Sequence, residues 1–395
     1  MKNLLSDQFN FSIILMLVVF GLIMGAVAYS ILLERKISAW IQDRYGPNRV
    51  GPGGLLQPIA DGLKFLLKED IIPASVDRAL FLFAPWMIFV VATIGFAVIP
   101  WGGNFRWSWM PADAPALTAQ VASIDIGLLY IVAVASLGVY GVVLGGWASN
   151  NKYSFYGGMR AAAQMLSYEI PMGMAILAAI LTTGCLRLED MVTYQANHVW
   201  TVVYHPVAAF ILFTTALAEA NRMPFDLAES EQELVGGYHT EYSAMKLALF
   251  FLAEYAHMIT SSALMVAIFF GGYLVPGWDW LNNDGSFLAM CCRMGVTAFK
   301  VFLVICVYMI VRWTLPRFRF DQLMRLAWKG LVPMTMGIVA VQGIILYAGW
   351  PQWFALPANV MILFIGAFVG AASGKQITGR QLSLPARARW GVQHG

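Results

Sequence analysis

The chain has 395 residues, of which 59% are hydrophobic and only 12% charged, with a formal net charge of +3 and a mean hydropathy of +0.67. Soluble domains carry roughly a quarter charged residues, so a soluble fold is excluded and the fold class is an all-α polytopic membrane protein. A bilayer core about 30 Å thick needs about 20 apolar residues per helix, and several stretches reach that length with only short connections between them.

The first predicted span covers 11–33. It is too long for the apolar core of a signal peptide and ends in Glu34-Arg35-Lys36 rather than a small-residue cleavage site, so it is expected to be retained as a helix. The run from Gly46 to Gly54, rich in glycine and proline, excludes regular helix and favours a shaped turn. Beyond it, Leu55, Leu56, Ile59, Leu63, Leu66 and Leu67 fall on one helical face while Asp61, Lys64 and Lys68 share another, which reads as an amphipathic helix lying along the membrane surface.

Further spans are expected at 79–100, 124–147, 158–183, 203–221, 242–273, 295–313, 331–350 and 354–373, nine in all. The fourth carries Glu169-Ile170-Pro171, where the proline frees a backbone carbonyl inside the helix and invites a polar site. The sixth carries Glu254 and His257, one helical turn apart and spaced to share a proton or a hydrogen bond. Asp125, Glu169, Glu254, His257 and Lys300 all fall at or near membrane depth. A charge at a helix centre there costs about 2.5–3.5 kcal/mol on insertion scales, so such residues point to proton or ion pathways. For Asp125 a place at the interface, and for Lys300 a snorkelling side chain, are equally open. Three Gly-x-x-x-Gly patterns, at Gly21/Gly25, Gly141/Gly145 and Gly366/Gly370, read as ordinary close packing between helices.

The connection after the fifth span is the most acidic stretch of the chain. Glu219, Asp226, Glu229, Glu231, Glu233 and Glu241 surround a single nearby basic residue, Arg222. Like charges at this density are either solvated or partly protonated. Confinement between two membrane helices, together with Phe225, Leu227, Leu234 and Val235, favours a working site over a solvated loop.

Lys and Arg set the orientation. They gather in the first connection (Arg35, Lys36, Arg44, Arg49, Lys64, Lys68, Arg78) and the seventh (Arg312, Arg317, Arg319, Arg325, Lys329), whereas the even connections hold only Arg106, Arg187 and Arg293. The amino terminus is therefore expected outside. With nine spans the basic tail bearing Lys375, Arg380, Arg387 and Arg389 falls inside. Cys185, Cys291, Cys292 and Cys306 offer no pair spaced for zinc or an iron–sulfur cluster. With no phosphate-cradling glycine loop, zinc-type HExxH or GxSxG elbow either, the chain is expected to bind no cofactor of its own.

Several segments resemble one family closely. These are Glu34-Arg35-Lys36 followed by Gly46-Pro47-Asn48-Arg49-Val50-Gly51-Pro52, Leu56-Gln57-Pro58-Ile59-Ala60-Asp61, and Gly158-Met159-Arg160 leading to Ser167-Tyr168-Glu169-Ile170-Pro171. Asn221-Arg222 with Pro224-Phe225-Asp226-Leu227, Glu241-Tyr242-Ser243, Phe250-Phe251-Leu252-Ala253-Glu254-Tyr255, and Arg312-Trp313-Thr314 with Pro316-Arg317-Phe318-Arg319 continue it. They resemble the H-type membrane subunit of respiratory complex I, the NADH-quinone oxidoreductase, known in mitochondria as subunit 1. The ninth C-terminal helix, read from hydropathy and charge, lies beyond the family pattern, which offers no role for it. The resemblance, which spans roughly Phe11 to Leu346, implies eight family transmembrane helices with one interfacial amphipathic helix. It divides the chain into a membrane domain over 1–350 and an extension over 351–395 with a basic cytoplasmic tail.

It further implies a non-redox subunit of a proton-translocating NADH:quinone oxidoreductase in the bacterial plasma (inner) membrane, without independent activity. Quinone is the substrate and enters from lipid between the first span, the amphipathic helix and the sixth span. FMN and iron–sulfur clusters reside in partner subunits; the partners are the peripheral quinone-module and membrane-arm subunits, with membrane lipid and no nucleic acid. Carried over by motif, Arg35, Asp61, Arg222, Glu229, Glu231 and Glu233 line the quinone chamber, and Glu169, Glu219 and Glu254 belong to the proton path. The chain departs from the family in Glu229-Ser230-Glu231-Gln232-Glu233, where Ser230 replaces a glycine that would free the loop backbone. Two rivals stand beside this reading. One is the homologous membrane component of a membrane-bound hydrogenase. The other is a secondary transporter, against which the hydropathy shows no inverted repeat.

Overall fold

A computed structural model describes residues 7–107, 109–110, 116–228, 234–278, 281–282 and 284–382. It is an all-α membrane bundle. Its helices are α1 (Gln8–Ile41), the amphipathic α2 (Gln57–Leu67), α3 (Arg78–Ile94), α4 (Gly127–Ala148), α5 (Lys152–Thr183) and α6 (Leu188–Asn197). They continue as α7 (Pro206–Glu219), α8 (Ala244–Phe269), α9 (Phe287–Thr314), α10 (Phe320–Tyr347) and α11 (Ala355–Leu382). Asn104–Phe105 and Leu117–Thr118 form a two-residue antiparallel pair between α3 and α4.

Among the described residues, seven helices are long and apolar enough to cross a membrane: α1, α3 with its continuation to Val98, α4, α5, α8, α9 and α10. The remaining two expected spans correspond to α7, with 14 residues, and to the apolar stretch Gln352–Phe368 that contains the start of α11. A 14-residue helix rises only about 21 Å, short of the roughly 30 Å core. α7 therefore ends inside the bundle, and this places the acidic segment that follows it.

Helix α8 is the axis of the assembly. It is the most buried of the long spans, with 78% of its apolar window inside the structure, and it packs on α1, α3, α7 and α9. Small residues permit the closest approaches elsewhere: a side chain on Gly141 of α4 would fall 2.2 Å from Ile88 of α3, so only glycine fits at that crossing. Gly21 and Gly25 meet no neighbour within 4 Å and face outward. In α10, Leu326–Leu331 form a π-helical turn just before Pro333, which has no N–H to offer the ladder, so the helix widens there rather than breaking.

α1 continues to Ile41, well past the end of its apolar run, which keeps Glu34, Arg35 and Lys36 on the same rigid helix. α2 forms over the expected residues, with Ile59, Leu63, Leu66 and Leu67 all exposed on one face, as suits an element resting on lipid.

Candidate functional site: a buried ion-pair network at the end of a short helix

The site is built on the C-terminus of α7. The last turn of a helix leaves carbonyls without intrahelical partners, and here those of Leu217 and Ala218 are capped by the turn that follows. Asn221 adopts a left-handed conformation (φ 49°), the Asn221 N–H donates to Ala218 O at 3.4 Å, and the Arg222 N–H donates to Leu217 O at 3.1 Å. This is the Schellman arrangement, for which asparagine is one of the few non-glycine residues suited. Gln164 of α5, fully buried, donates from Nε2 to Ala218 O (2.7 Å), Phe225 O (2.6 Å) and Asn221 Oδ1 (3.2 Å), fixing the turn against the bundle.

That turn aims Arg222 inward. Its guanidinium lies 3.4 Å from Glu34 of α1 and 3.4 Å from Glu254 of α8, and stacks 3.9 Å from the ring centre of Tyr255. Glu34 also accepts from Tyr255 Oη at 2.7 Å and from Arg312 of α9, while Glu254 accepts from Tyr238 Oη at 3.2 Å. A fourth guanidinium contact joins Arg317 to Asp226 at 3.0 Å. Three guanidiniums thus meet three carboxylates, drawn from four separate segments of the chain. Burying ions is tolerable only with this degree of mutual pairing. Phe225 stacks on Phe318 and packs on Tyr168, and the Phe318 N–H donates to Pro224 O, so the segment after α9 clamps the segment after α7.

The described acids of the segment are therefore separated rather than crowded. Glu219 lies 3.5 Å from His257 Nε2, Asp226 meets Arg317, and Glu241 accepts from Asn151 at 2.6 Å. Arg222, expected among these acids, meets Glu34 and Glu254. Glu229, Glu231 and Glu233 lie outside the described residues. Burial pushes the Asp226 carboxyl up from its ordinary 3.8 to about 6, against the pull of Arg317.

Deeper in the bundle, Glu219 and His257 border two enclosed cavities. One, of about 40 Å³, also touches Glu254, Asn221 and Tyr238; the other, of about 30 Å³, touches Thr260 and Ser261. Each is large enough for a water. Glu169 lies within electrostatic reach of Glu219 and within hydrogen-bonding reach of Ser136. On the opposite side of the network, Arg35 pairs with Asp61 of α2 at 2.7 Å, and Gln57 donates to the same carboxylate at 3.1 Å. An apolar cleft of about 680 Å³ opens between α1 and α9, with Leu55 and Lys36 at its rim and Ile259 of α8 in its wall.

The structure brings Arg222 and Glu254 into direct contact, sets Glu219 and Glu169 within electrostatic reach of one another, and keeps Arg35–Asp61 as a separate, half-exposed pair. Sequence reasoning missed Glu34, Arg312, Arg317, Tyr238, Tyr255 and Gln164 as site members. The available signal was that Glu34, Gln164, Arg312 and Arg317 are polar residues within or directly beside apolar spans. Lys300, by contrast, donates to three backbone carbonyls, Phe270 O, Gly272 O and Leu274 O at 2.6–2.9 Å, and lies over the Trp200 ring. It caps the end of α8.

The comparisons with known proteins agree with this architecture. The family model described as NADH dehydrogenase matches residues 13–343. The NADH-quinone oxidoreductase H subunit 1 of Cytophaga hutchinsonii is 49% identical over 332 residues, 84% of this chain and 95% of the relative. The H subunit of the Leptospira biflexa NADH-quinone oxidoreductase is 46% identical over 343 residues (85% and 95%), and that of Rhodospirillum rubrum is 46% identical over 317 residues (79% and 87%). With the match spanning the bundle from α1 through most of α10, the chain belongs to the NADH dehydrogenase family, as an H-type membrane subunit of NADH-quinone oxidoreductase.

Proposed function

We propose that this subunit forms part of the quinone-access chamber of its complex and couples quinone reduction to proton translocation. The observation that carries the reading is a succession of three ionisable groups: the Arg35–Asp61 pair beside the apolar cleft, the network of Glu34, Arg222 and Glu254, and the cluster of Glu219, His257 and Glu169 inside the bundle. Quinone reaches the chamber from lipid through the cleft beside α1, whose walls are almost wholly apolar. A quinone that takes two electrons must also take two protons or leave negative charge behind, and carboxylates held in low dielectric respond to either outcome through their proton affinity.

The chain itself carries no electrons. FMN and iron–sulfur clusters in the partner subunits deliver them, and the peripheral quinone-module and membrane-arm subunits dock on this one. Glu229, Glu231 and Glu233 sense the charge change beneath the chamber, and Glu254, Glu219 and Glu169 pass it into the membrane arm. The amino terminus lies outside and the basic tail in the cytoplasm of a bacterial plasma membrane. Residues 351–395 form an extension to the membrane domain of 1–350. It meets that domain where Asn359 pairs with His205 at 3.1 Å.

The test is the assembled complex in proteoliposomes, carrying E169Q, E219Q or E254Q, with quinone reduction and proton uptake read together. Both are expected to fall in each variant. Normal turnover with normal pumping in all three would overturn the coupling role.

A further inference from the structure

His257 is a largely enclosed imidazole among these groups, and the carry-over from the family gives it no part. It sits on α8 a single turn beyond Glu254, yet the two side chains diverge. Glu254 is held by Arg222 and Tyr238, while His257 points to Glu219 of α7, its Nε2 3.5 Å from Oε2. Among the cavities described above, the two enclosed ones share only a few lining side chains, and Glu219 and His257 are the ionisable ones common to both. The pair therefore stands as a partition. On one side lies the space reached by Glu254, Asn221 and Tyr238; on the other, the space bordered by the hydroxyls of Thr260 and Ser261.

From this geometry we infer that His257 is a proton-carrying residue that connects the Glu254 side of the path to Glu219. The inference rests on the proton-path reading of Glu169, Glu219 and Glu254, and deepens it. Imidazole suits the position because its ordinary proton affinity lies near neutrality and it has two nitrogens, one to receive and one to release. Protonated His257 and ionised Glu219 form a neutral pair. Transfer breaks the Nε2–H bond and forms an O–H bond on Glu219, leaving both groups uncharged, so no net charge appears in the low-dielectric interior. A proton entering through the Glu254-side cavity then restores the imidazolium as Glu219 passes its own onward.

Among the described residues, the groups facing this pair are few. α3 and α4 present apolar side chains to the cavities, α5 contributes Glu169 at longer range, and α9 brings Tyr308 toward Glu219. A polar residue that cannot bind a second proton should fill the space without doing the work.

The experiment uses the whole complex in proteoliposomes with H257Q, and H257N as a second substitution should the first fail to assemble. Pumping is normalised to the amount of assembled complex and followed from about pH 5.5 to 8.5, the range imidazole spans. The expected result is a loss of pumping of about ten-fold or more, with disappearance of the pH inflection seen in the unsubstituted complex. A merely structural histidine would be replaced by glutamine with rate and pH profile intact, and that result overturns the inference. E219Q, measured beside it, separates the two levels. Normal pumping in E219Q sinks the path itself, whereas loss in E219Q with normal H257Q removes only the histidine from it.

Discussion

The two ends of α8 hold buried charge in opposite ways. Toward its N-terminal half, Glu254 and the neighbouring Glu34 and Asp226 meet guanidinium partners, each of these pairs joining two ionisable groups. At its C-terminal end, Lys300 meets only backbone carbonyls and an indole ring, and nearby His205 bonds to the neutral Thr182 and Asn359. A carbonyl does not exchange protons, so the second arrangement fixes helix ends and nothing more. A carboxylate beside a guanidinium changes its proton affinity whenever a neighbouring charge changes. Depth in the membrane alone therefore does not mark a functional charge; the nature of the partner does.

The comparison is tested most severely at Arg222. R222M removes one cation and leaves Glu34 and Glu254 short of a buried partner, a loss expected to cost about 3–5 kcal/mol. The variant should show little assembled complex on native gels and no quinone reductase activity. R222K, which cannot bond both carboxylates while stacking on Tyr255, should recover assembly only in part. Full assembly of R222M would mean that the network is not what holds α1, α7 and α8 together.

Asp226 gives a pH signature at the same end. Its carboxyl is raised from 3.8 to about 6 in the folded chain, so between those values the folded state binds more protons than the unfolded one. Its contribution to stability is then fully present at low pH and is lost as pH rises through about 6. Thermal midpoints of the complex taken from about pH 4 to 7 should carry this slope, and D226N should flatten it. An unchanged slope in D226N would assign the effect to another group.

Most of the fold was legible in the sequence because hydropathy is local. The expected span at 295–313 lies within Phe287–Thr314, and that at 242–273 encloses Ala244–Phe269. The helix ends were less legible, since hydropathy stops where charge begins but hydrogen-bonded helix does not: α1 runs eight residues past Leu33, to Ile41. α7 looked like a full span because its flanking residues are compatible with helix, whereas the chain breaks at His205 before Pro206 and the left-handed Asn221 closes the other end. The network itself could not be read. Arg222 and Glu34 are 188 positions apart, and nothing in the acidic run says that its one arginine reaches a carboxylate of the first helix. Arg312 and Arg317, which counted toward orientation as a basic loop, proved to be the partners of Glu34 and Asp226.

At the other end of α8, K300M leaves the carbonyls of Phe270, Gly272 and Leu274 without their donor, in a turn that needs the positive φ of Gly271 and Gly272. The expected cost is about 1–3 kcal/mol, seen as a lower thermal midpoint. Protons pumped per quinone reduced should stay at the unsubstituted value. A fall in that ratio at normal stability would place Lys300 in the path and break the distinction drawn between carbonyl and carboxylate partners.

The smallest effect on stability is expected at Arg35–Asp61, where the Arg35 side chain is 45% exposed and water screens the pair. An exposed ion pair contributes at most about 1 kcal/mol, so D61N should assemble normally and melt no more than about 2–4 °C below the parent, the shift that 1 kcal/mol produces in a larger domain. Its consequence should instead appear in KM for quinone, because the pair fixes α2 against α1 beside the apolar cleft. Raising the salt concentration should weaken the Arg35–Asp61 contact in the unsubstituted complex while leaving the Arg222 contacts unaffected, so KM should rise with salt in the parent and not in D61N. A salt response retained in D61N would locate the sensitive contact elsewhere in the chamber.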